Sequence, residues 1–291
     1  MKQELKIGFI GIGIMGEPMC RNVMKAGFEM TVFDVNEKQV AKLVGEGARA
    51  ADCPAAVARE SDITITMLPD NSIVEQTALG EKGIIEGMGP GKIYIDMSTI
   101  SPEVSRKVAA QVAKTGGVMM DAPVVKSQPA AVTGDLGILV GGSKEVYEKI
   151  LPVLKPIGKN VIHMGENGNG LVMKLCHNML VGEIAVAVSE TLAMAQKAGL
   201  GFEDICTAIS YGGGQTFYLD SKKKSIMEKD FTKKFPLQYM RKDLGLALEL
   251  GKSLGARLPE AEIADRMFQN AVDQGLGNED FSAVIKLLER R

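Results

Sequence analysis

Residues Gly8–Gly16 read Gly-Phe-Ile-Gly-Ile-Gly-Ile-Met-Gly, and this stretch decides the fold. Gly11, Gly13 and Gly16 form the pattern Gly-x-Gly-x-x-Gly directly after the apolar run Lys6–Ile10. In a strand–turn–helix unit, the first glycine permits a tight turn and the second lets the backbone approach a pyrophosphate. The third glycine lets the helix pack closely on the strand. The stretch therefore predicts a dinucleotide-binding loop.

Asp34 indicates which dinucleotide binds, because it ends the next apolar run, Met30–Phe33. Its carboxylate can accept hydrogen bonds from an adenosine ribose but would repel a 2′-phosphate, and no arginine follows it. We therefore predict NAD rather than NADP, with Ile14 and Met15 touching it beside the glycines. The alternatives are a βα turn without ligand and a plain turn role for Asp34.

The first half of the chain alternates short apolar runs with amphipathic stretches. The predicted strands are Lys6–Ile10, Met30–Phe33, Ile63–Leu68, Lys92–Asp96, Val118–Asp121, Leu136–Val140 and Val161–His163. The predicted helices are Pro18–Lys25, Val40–Val44, Ile73–Leu79, Pro102–Thr115 and Lys144–Leu154. This order predicts an α/β domain with a doubly wound, mostly parallel sheet, a Rossmann-type architecture, over residues 1–165.

The pattern changes near residue 165, after which no comparable strand run appears. The predicted helices are Gly168–Ala198, Phe202–Ser210, Leu237–Leu254, Leu258–Gln274 and Ser282–Arg290. We predict an all-helical domain over residues 166–291, joined to the first domain by the long interdomain helix. A helix of that length needs partners for its apolar face, so we also predict a homo-oligomer.

Two further strands end in segments that face the ligand edge of a doubly wound sheet. One segment is Met67-Leu68-Pro69, and the other is Asp96-Met97-Ser98-Thr99. Ser98 and Thr99 offer hydroxyls and backbone N–H groups at that edge. A helix-capping loop explains the second segment equally well.

Lys174 and Asn178 are four residues apart on the long predicted helix and therefore share one face. Lys174 is surrounded in sequence by apolar residues, and burial lowers the pKa of a lysine toward the range useful for proton transfer. The alternative is a lysine whose ammonium reaches out to solvent. His177 is adjacent but does not share this face, and we interpret it as structural.

The composition excludes several classes of protein. Lys and Arg number 34 against 36 Asp and Glu, so a nucleic-acid binder with a basic excess is not predicted. The four cysteines form no Cys-x-x-Cys pair, and two histidines are too few for a zinc cluster, so no metal site is predicted. We found no signal-peptide pattern and no apolar run of membrane-spanning length. We therefore expect a cytoplasmic protein with reduced cysteines and no membrane partner.

Together these motifs resemble the β-hydroxyacid dehydrogenase family over essentially the whole chain. The marks of the resemblance are Gly8–Gly16, Asp96–Thr99, Asp121-Ala-Pro-Val124, Gly141-Gly142, Gly170 with Lys174 and Asn178, Lys242-Asp243, and Asp280-Phe-Ser-Ala-Val. The resemblance implies a catalytic acid/base at Lys174 and substrate orientation by Asn178. It also implies cofactor contacts from Leu68, Pro69 and Thr99, a Lys242 that reaches the cofactor or the substrate end of the cleft, and a homodimer or homotetramer.

The chain departs from the family at one point. After Asp121-Ala-Pro-Val, most members have Ser-Gly-Gly, which binds the substrate carboxylate, whereas this chain has Val125, Lys126 and Ser127. A sulfolactaldehyde reductase branch is similar in placing a basic residue at the position of Lys126. Lys126 could hold a sulfonate or second carboxylate, or it could point to solvent.

The resulting hypothesis is an NAD-dependent oxidoreductase that interconverts a short 3-hydroxy acid, or its sulfonate analogue, with the semialdehyde. Its small anionic substrate would lie near Lys126 and Ser127, and Lys174 would move the hydroxyl proton. One alternative is a dinucleotide-binding protein without turnover, for which Lys174 would be unnecessary. Another is a Schiff-base role for Lys174.

Overall fold

The computed structural model describes residues 5–289. The chain divides into two compact units between Lys174 and Leu175. The domain boundary at residues 165/166 stays a prediction, because it was placed where the strand pattern stops rather than where packing changes.

The first unit contains a six-stranded sheet in which all strands are parallel. Its strands are β1 (Lys6–Ile10), β2 (Glu29–Phe33), β3 (Arg49–Ala50), β4 (Ile63–Thr66), β5 (Ile93–Asp96) and β6 (Val118–Asp121). The strand order is β3-β2-β1-β4-β5-β6. Successive strands are added on one side of β1 up to β3 and on its other side from β4 onward, so the switch point, at which doubly wound sheets bind dinucleotides, lies between β1 and β4. The sheet is buried on both faces: Tyr94 and Ile95 are adjacent on β5 and therefore point to opposite faces, and both are fully buried.

Helices cover this sheet. They are α1 (Gly16–Lys25), α2 (Glu37–Gly45), α3 (Pro54–Glu60), α4 (Asn71–Leu79), α5 (Pro102–Lys114), α6 (Gln128–Val132) and α7 (Lys144–Leu154). Several begin where the sequence supplies a cap: the side chain of Asp70 accepts from the N–H of Ile73, and that of Ser101 from the N–H of Glu103.

The later strands do not extend the large sheet. They form a second sheet in the order β7 (Val124–Val125), β8 (Gly137–Val140) and β9 (Asn160–His163). β7 is antiparallel to β8, and β8 is parallel to β9. The chain leaves the first sheet at Asp121, which exchanges backbone hydrogen bonds with Gly141 beyond β8.

The second unit, within the described residues, contains helices and no strand, which confirms the predicted all-helical region. Its helices, with the long helix that leads into it, are α8 (Asn169–Lys197), α9 (Phe202–Ser210), α10 (Phe217–Met227), α11 (Leu237–Leu254), α12 (Pro259–Ala271) and α13 (Lys286–Glu289). Part of the predicted helix Ser282–Arg290 is a 3-10 turn over Phe281–Ile285, and Arg290 lies outside the described residues.

Helix α8 is a single element of 29 residues, about 43 Å long at 1.5 Å per residue. It is long and apolar enough, by length and composition alone, to cross a membrane, which differs from the sequence-based expectation. Leu171, Leu175, Ala185 and Leu192 on it are fully buried. Over the most apolar window of this helix 44% is buried, and the core helix of a soluble protein can pass the same test.

Candidate active site

The glycine-rich loop after β1 has the geometry that its sequence predicts. Gly11 adopts φ +92°, and a Cβ there would lie 2.4 Å from the carbonyl oxygen of Met67. A Cβ on Gly16 would lie 1.9 Å from the carbonyl oxygen of Gly11. Neither position can hold a side chain without moving backbone, so the tight turn and the close approach of α1 both depend on glycine.

Gly13 differs from the other two glycines because no atom lies within 4 Å of the place where its Cβ would be. Nothing in the protein requires glycine here, so the open space is available to a ligand that approaches the backbone. Ile14, 43% exposed, and Met15 follow at the start of α1, where helix N–H groups favour phosphate oxygens. The loop therefore fits the pyrophosphate of NAD.

Asp34 lies at the end of β2, beside this loop. One carboxylate oxygen accepts from the N–H of Ile12 at 2.6 Å, and the other accepts from the N–H of Asn36 at 2.7 Å. Asp34 thus has the turn role that we considered as the alternative, and each oxygen keeps a second lone pair for a ribose hydroxyl. Val35, next to it, is 92% exposed, and neither Val35 nor Asn36 offers a cation to a 2′-phosphate.

Leu68, Pro69 and Thr99 follow the carboxyl ends of the neighbouring strands β4 and β5, at the same edge as the glycine-rich loop. The N–H of Leu68 donates to the hydroxyl of Ser98 at 2.9 Å, and that hydroxyl donates to Asp96 at 2.6 Å. Ser98 is fully buried, so its hydroxyl holds the loop and is not presented at the edge.

Asp96 organises this edge, and sequence reasoning gave it no role. Its Oδ1 accepts from the hydroxyls of Thr66 and Ser98, at 2.7 and 2.6 Å. Burial raises the pKa of the Asp96 carboxyl, and these donors oppose the shift. The Asp-x-Ser spacing was the available signal, since a serine two residues after an aspartate can bond back to it.

Lys174 and Asn178 lie on α8, one turn apart, as predicted. Lys174 is 6% exposed and Asn178 is 4% exposed, so neither is on a solvated face. This burial argues against a lysine that reaches out to solvent. Cys176, between them in sequence, is an exposed free thiol.

A second buried carboxylate, Asp243 on α11, holds Asn178. The amide nitrogen of Asn178 donates to Asp243 Oδ2 at 2.6 Å, and Asp243 is 1% exposed. The ammonium of Lys242 is 3.3 Å from Asp243 Oδ1, so Asn178 and Lys242 meet at one carboxylate. His177 Nδ1 lies 3.1 Å from the Asn178 amide oxygen. The sequence marked Lys242-Asp243 as a motif but gave Asp243 no function.

Val125, Lys126 and Ser127 leave the end of β7 and enter α6. Lys126 has φ +77°, the left-handed conformation that favours glycine, and this explains why a glycine suits the family pattern at this position. Its ammonium donates to Asp135 at 2.6 Å, and the Lys159 ammonium lies 3.5 Å from the same carboxylate. Lys126 is therefore ion-paired, with its side chain 34% exposed.

The structure brings the predicted site residues together in three groups. The glycine-rich loop, Asp34, Leu68, Pro69 and Thr99 share the carboxyl edge of the large sheet. Lys126 and Ser127 belong to the β7–α6 turn in the same unit. Asn178 and Lys242 meet at Asp243 in the helical unit, and Lys174 lies at the boundary on α8.

Two family models match the chain. Residues 6–165 match the NAD-binding domain of 6-phosphogluconate dehydrogenase, and residues 168–288 match a domain described as the NAD-binding domain of NADP-dependent 3-hydroxyisobutyrate dehydrogenase. Together they span nearly the whole chain.

Similar proteins also cover the full length. The 2-(hydroxymethyl)glutarate dehydrogenase of Eubacterium barkeri is 40% identical over 100% of this chain and 97% of its own. The 3-sulfolactaldehyde reductase of Escherichia coli is 33% identical over 96% of this chain and 94% of its own length. A 3-hydroxyisobutyrate dehydrogenase structure from Mycobacterium tuberculosis, with L-serine, has a TM-score of 0.91 at 30% identity, covering 100% of both chains.

These matches confirm the predicted family, the predicted NAD-dependent dehydrogenase or semialdehyde reductase activity, and NAD as cofactor. The observed sheet order and the helical second unit confirm the predicted fold class. With the glycine-rich loop, Asp34 and the buried Lys174 in place, the chain belongs to the β-hydroxyacid dehydrogenase family of NAD-dependent oxidoreductases.

Proposed function

We propose that Lys174 is the general acid and base with which this protein interconverts a short 3-hydroxy acid and its semialdehyde. One observation carries the proposal: two polar side chains, Lys174 and Asn178, are buried one turn apart on α8. Burying polar groups of this kind costs free energy, and such groups cluster where they perform chemistry.

The residues of the first unit would hold the cofactor. Gly11, Gly13, Ile14, Met15 and Gly16 would face the pyrophosphate, and Asp34 would accept from the adenosine ribose. Leu68, Pro69 and Thr99 would line the edge next to it, and Lys242 is the predicted contact from the helical unit. When bound, NAD accepts the hydride from the alcohol carbon or returns it to the aldehyde.

Lys174 would handle the proton that accompanies this transfer. During oxidation its neutral amine takes the proton of the substrate hydroxyl, and during reduction its ammonium returns that proton to the carbonyl oxygen. Asn178 would orient the substrate. Because Asp243 binds the Asn178 amide nitrogen, the amide group is held in one orientation.

Lys126 and Ser127 would bind a sulfonate or a second carboxylate of the substrate, next to Val125. Two lysine ammonium groups, Lys126 and Lys159, flank the single carboxylate of Asp135, so this cluster carries one net positive charge. An ammonium has three donors, of which Asp135 uses one on Lys126. Relatives named for a glutarate and for a sulfolactaldehyde act on substrates with such a group.

A substrate panel tests the activity. NADH absorbance should change with at least one of four substrate types: 3-hydroxyisobutyrate, glycerate, 2-(hydroxymethyl)glutarate and a sulfolactaldehyde. The first two carry one anion, the third carries two carboxylates, and the fourth carries a sulfonate. Tight NAD binding without turnover of any of them would favour the alternative of a non-catalytic dinucleotide-binding protein.

Lys174→Ala tests the acid/base role. We expect kcat to fall about 10²- to 10⁴-fold, as typical for loss of a general acid or base, with NAD affinity near wild type. The matched control is Lys197→Ala, an exposed lysine in the last turn of the same helix, which should leave kcat unchanged. A wild-type kcat in Lys174→Ala contradicts the proposal, and borohydride trapping of substrate on Lys174 would support the Schiff-base alternative instead.

Lys126→Gly tests recognition of the second anion, because glycine adopts φ +77° without strain. We expect KM to rise roughly tenfold for a substrate with a second carboxylate or a sulfonate, since a charge-assisted hydrogen bond is lost. kcat should change little if the contact is equal in ground and transition states. KM for 3-hydroxyisobutyrate should stay near wild type, as should every constant in Lys149→Ala, whose exposed ammonium pairs with Glu145 outside this cluster. An unchanged KM for every substrate with a sulfonate or a second carboxylate would show that Lys126 does not contact the substrate.

We also propose that copies of the chain associate as a homodimer or homotetramer. Met173, Leu180 and Met194 of α8 are 38%, 54% and 71% exposed, and their spacing of seven or fourteen residues places them on one side of the helix. Light scattering after gel filtration measures the state. The free thiols of Cys20, Cys53, Cys176 and Cys206 are compatible with the reducing cytoplasm, which we propose as the location.

A further inference from the structure

Three motifs that carry no role in the proposed reaction meet at one point of the first unit. They are Asp121 at the end of β6, Gly141 after β8, and Gly168 and Gly170 at the start of α8. The backbone of Asp121 is bonded to Gly141 in both directions, at 3.1 and 2.8 Å. Asp121 is therefore fixed to two sheets before its side chain makes any contact.

The Asp121 carboxylate caps the long helix from outside. One oxygen accepts from the N–H of Gly168 at 2.6 Å and the other from the N–H of Leu171 at 2.9 Å. The first N–H groups of a helix have no partner within the helix, and a carboxylate there also opposes the positive end of the helix dipole. Asp121 is fully buried, which raises its pKa, and these two donors act in the opposite direction.

The contact between Asp121 and the first turn of α8, which we call the joint, is closely packed. A Cβ on Gly170 would lie 2.3 Å from the carbonyl oxygen of Leu139 and 2.8 Å from Asp121 Oδ2. A Cβ on Gly141 would lie 2.4 Å from Asp121 Oδ1. Both glycines therefore allow the carboxylate to sit against the first turn of α8.

We propose that Asp121 is a positioning residue for Lys174. Lys174 is three residues beyond Leu171, whose N–H is bound to Asp121, and helix side chains lean back toward the preceding turn. Fixing that turn fixes the backbone from which the Lys174 side chain extends. This inference rests on the proposed role of Lys174 as acid and base.

A double-mutant cycle tests the inference, using Asp121→Asn, Lys174→Ala and the double variant. Asparagine has nearly the volume of aspartate and keeps one acceptor oxygen. Its NH2 group takes the place of the other oxygen and would face a backbone N–H group, so two donors oppose each other. We expect Asp121→Asn alone to lower kcat about tenfold to a hundredfold, in line with small misplacements of catalytic groups, with NAD affinity unchanged. In the Lys174→Ala background, the same change should lower kcat by less than about twofold, because the group it positions is gone.

Equal losses in both backgrounds would overturn the inference and make Asp121 merely structural. A wild-type kcat in Lys174→Ala would instead overturn the proposed function, so the two failures are distinguishable. Asp96→Asn is the matched control, because Asp96 pairs with Asp121 in register on the adjacent strand and is equally buried, yet its hydrogen bonds go to Thr66 and Ser98. Its effect on kcat should be the same in both backgrounds.

Gly170→Ala provides a second variant if Asp121→Asn does not fold. It disturbs the same joint from the helix side while keeping the carboxylate. We expect its loss of kcat also to vanish in the Lys174→Ala background. Gly182→Ala on the same helix, where a Cβ would meet only the Leu244 side chain at 3.1 Å, should show equal effects in both backgrounds. Equal effects for Gly170→Ala would overturn the inference.

Discussion

Asp34 both orders the glycine-rich loop and, in our proposal, selects the cofactor. Since its two oxygens hold the N–H groups of Ile12 and Asn36, replacing it should loosen the loop as well as change its charge. We expect Asp34→Ser combined with Val35→Arg to shift the ratio of NADH to NADPH affinity toward NADPH by at least tenfold, about 1.4 kcal/mol. Fluorescence titration with both cofactors measures this ratio.

Asp34→Asn removes the negative charge and keeps one of the two acceptor oxygens that hold the loop. It should weaken NADH binding and relieve the repulsion of a 2′-phosphate. A wild-type protein that prefers NADPH tenfold would contradict this interpretation of Asp34.

Residues whose role follows from backbone conformation or charge could be predicted from the sequence. Gly11 and Gly16 are such cases, because the tight turn and the close approach of α1 leave no room for a Cβ at either position. The partners of a buried side chain could not be predicted, because they come from distant parts of the chain: Asp243 meets Asn178 across 65 residues, and Asp121 meets Leu171 across 50.

The β1–loop–α1 element allows the binding and folding roles of its glycines to be separated. Gly13→Ala places a methyl group in open space, so the free energy of unfolding of the ligand-free protein should stay near wild type. NAD affinity should fall roughly tenfold or more, as hydrogen bonds to a charged phosphate are disturbed. Gly16→Ala should instead cost about 1–3 kcal/mol of stability, since its Cβ meets the Gly11 carbonyl.

Urea unfolding without ligand and titration with NADH measure the two effects. Equal destabilisation by both variants would show that Gly13 is also a structural glycine.

Elements with a regular apolar pattern were predicted closely. Elements of very few residues, and one helix whose apolar pattern is interrupted by charged residues, were missed. The predicted bounds of β1, β6, α7, α9 and α11 agree with those observed. Helix α10 was missed because Lys222, Lys223 and Lys224 interrupt its apolar pattern, although Lys222 is buried. The two-residue strands β3 and β7 have too few residues for an alternation to show.

For the whole molecule, we expect a substitution in the core of one unit to lower the stability of that unit and not of the other. Lys222 and Asp280 form a buried ion pair at 2.7 Å in the helical unit, and Asp280 also accepts from the Ser282 hydroxyl. Lys222→Met should destabilise this unit by about 3–5 kcal/mol, because it leaves a buried carboxylate without its cation.

Calorimetry measures this loss, and NADH titration above the melting of the helical unit but below that of the first unit should still show binding. Lys149→Met, which breaks the exposed pair with Glu145, is the control and should leave the melting temperature unchanged. A loss of NADH binding that parallels the loss of the helical unit would show that the units do not fold independently.

The left-handed backbone at Lys126 has a consequence for efforts to engineer substrate scope. Non-glycine residues in this conformation carry a penalty of about 1–2 kcal/mol, and β-branched side chains are the least tolerated. Saturation libraries at this codon will therefore return mostly glycine, asparagine and aspartate among their stable members. Ser127, whose φ is −128°, tolerates a far wider choice, so diversity introduced there will survive selection for folding.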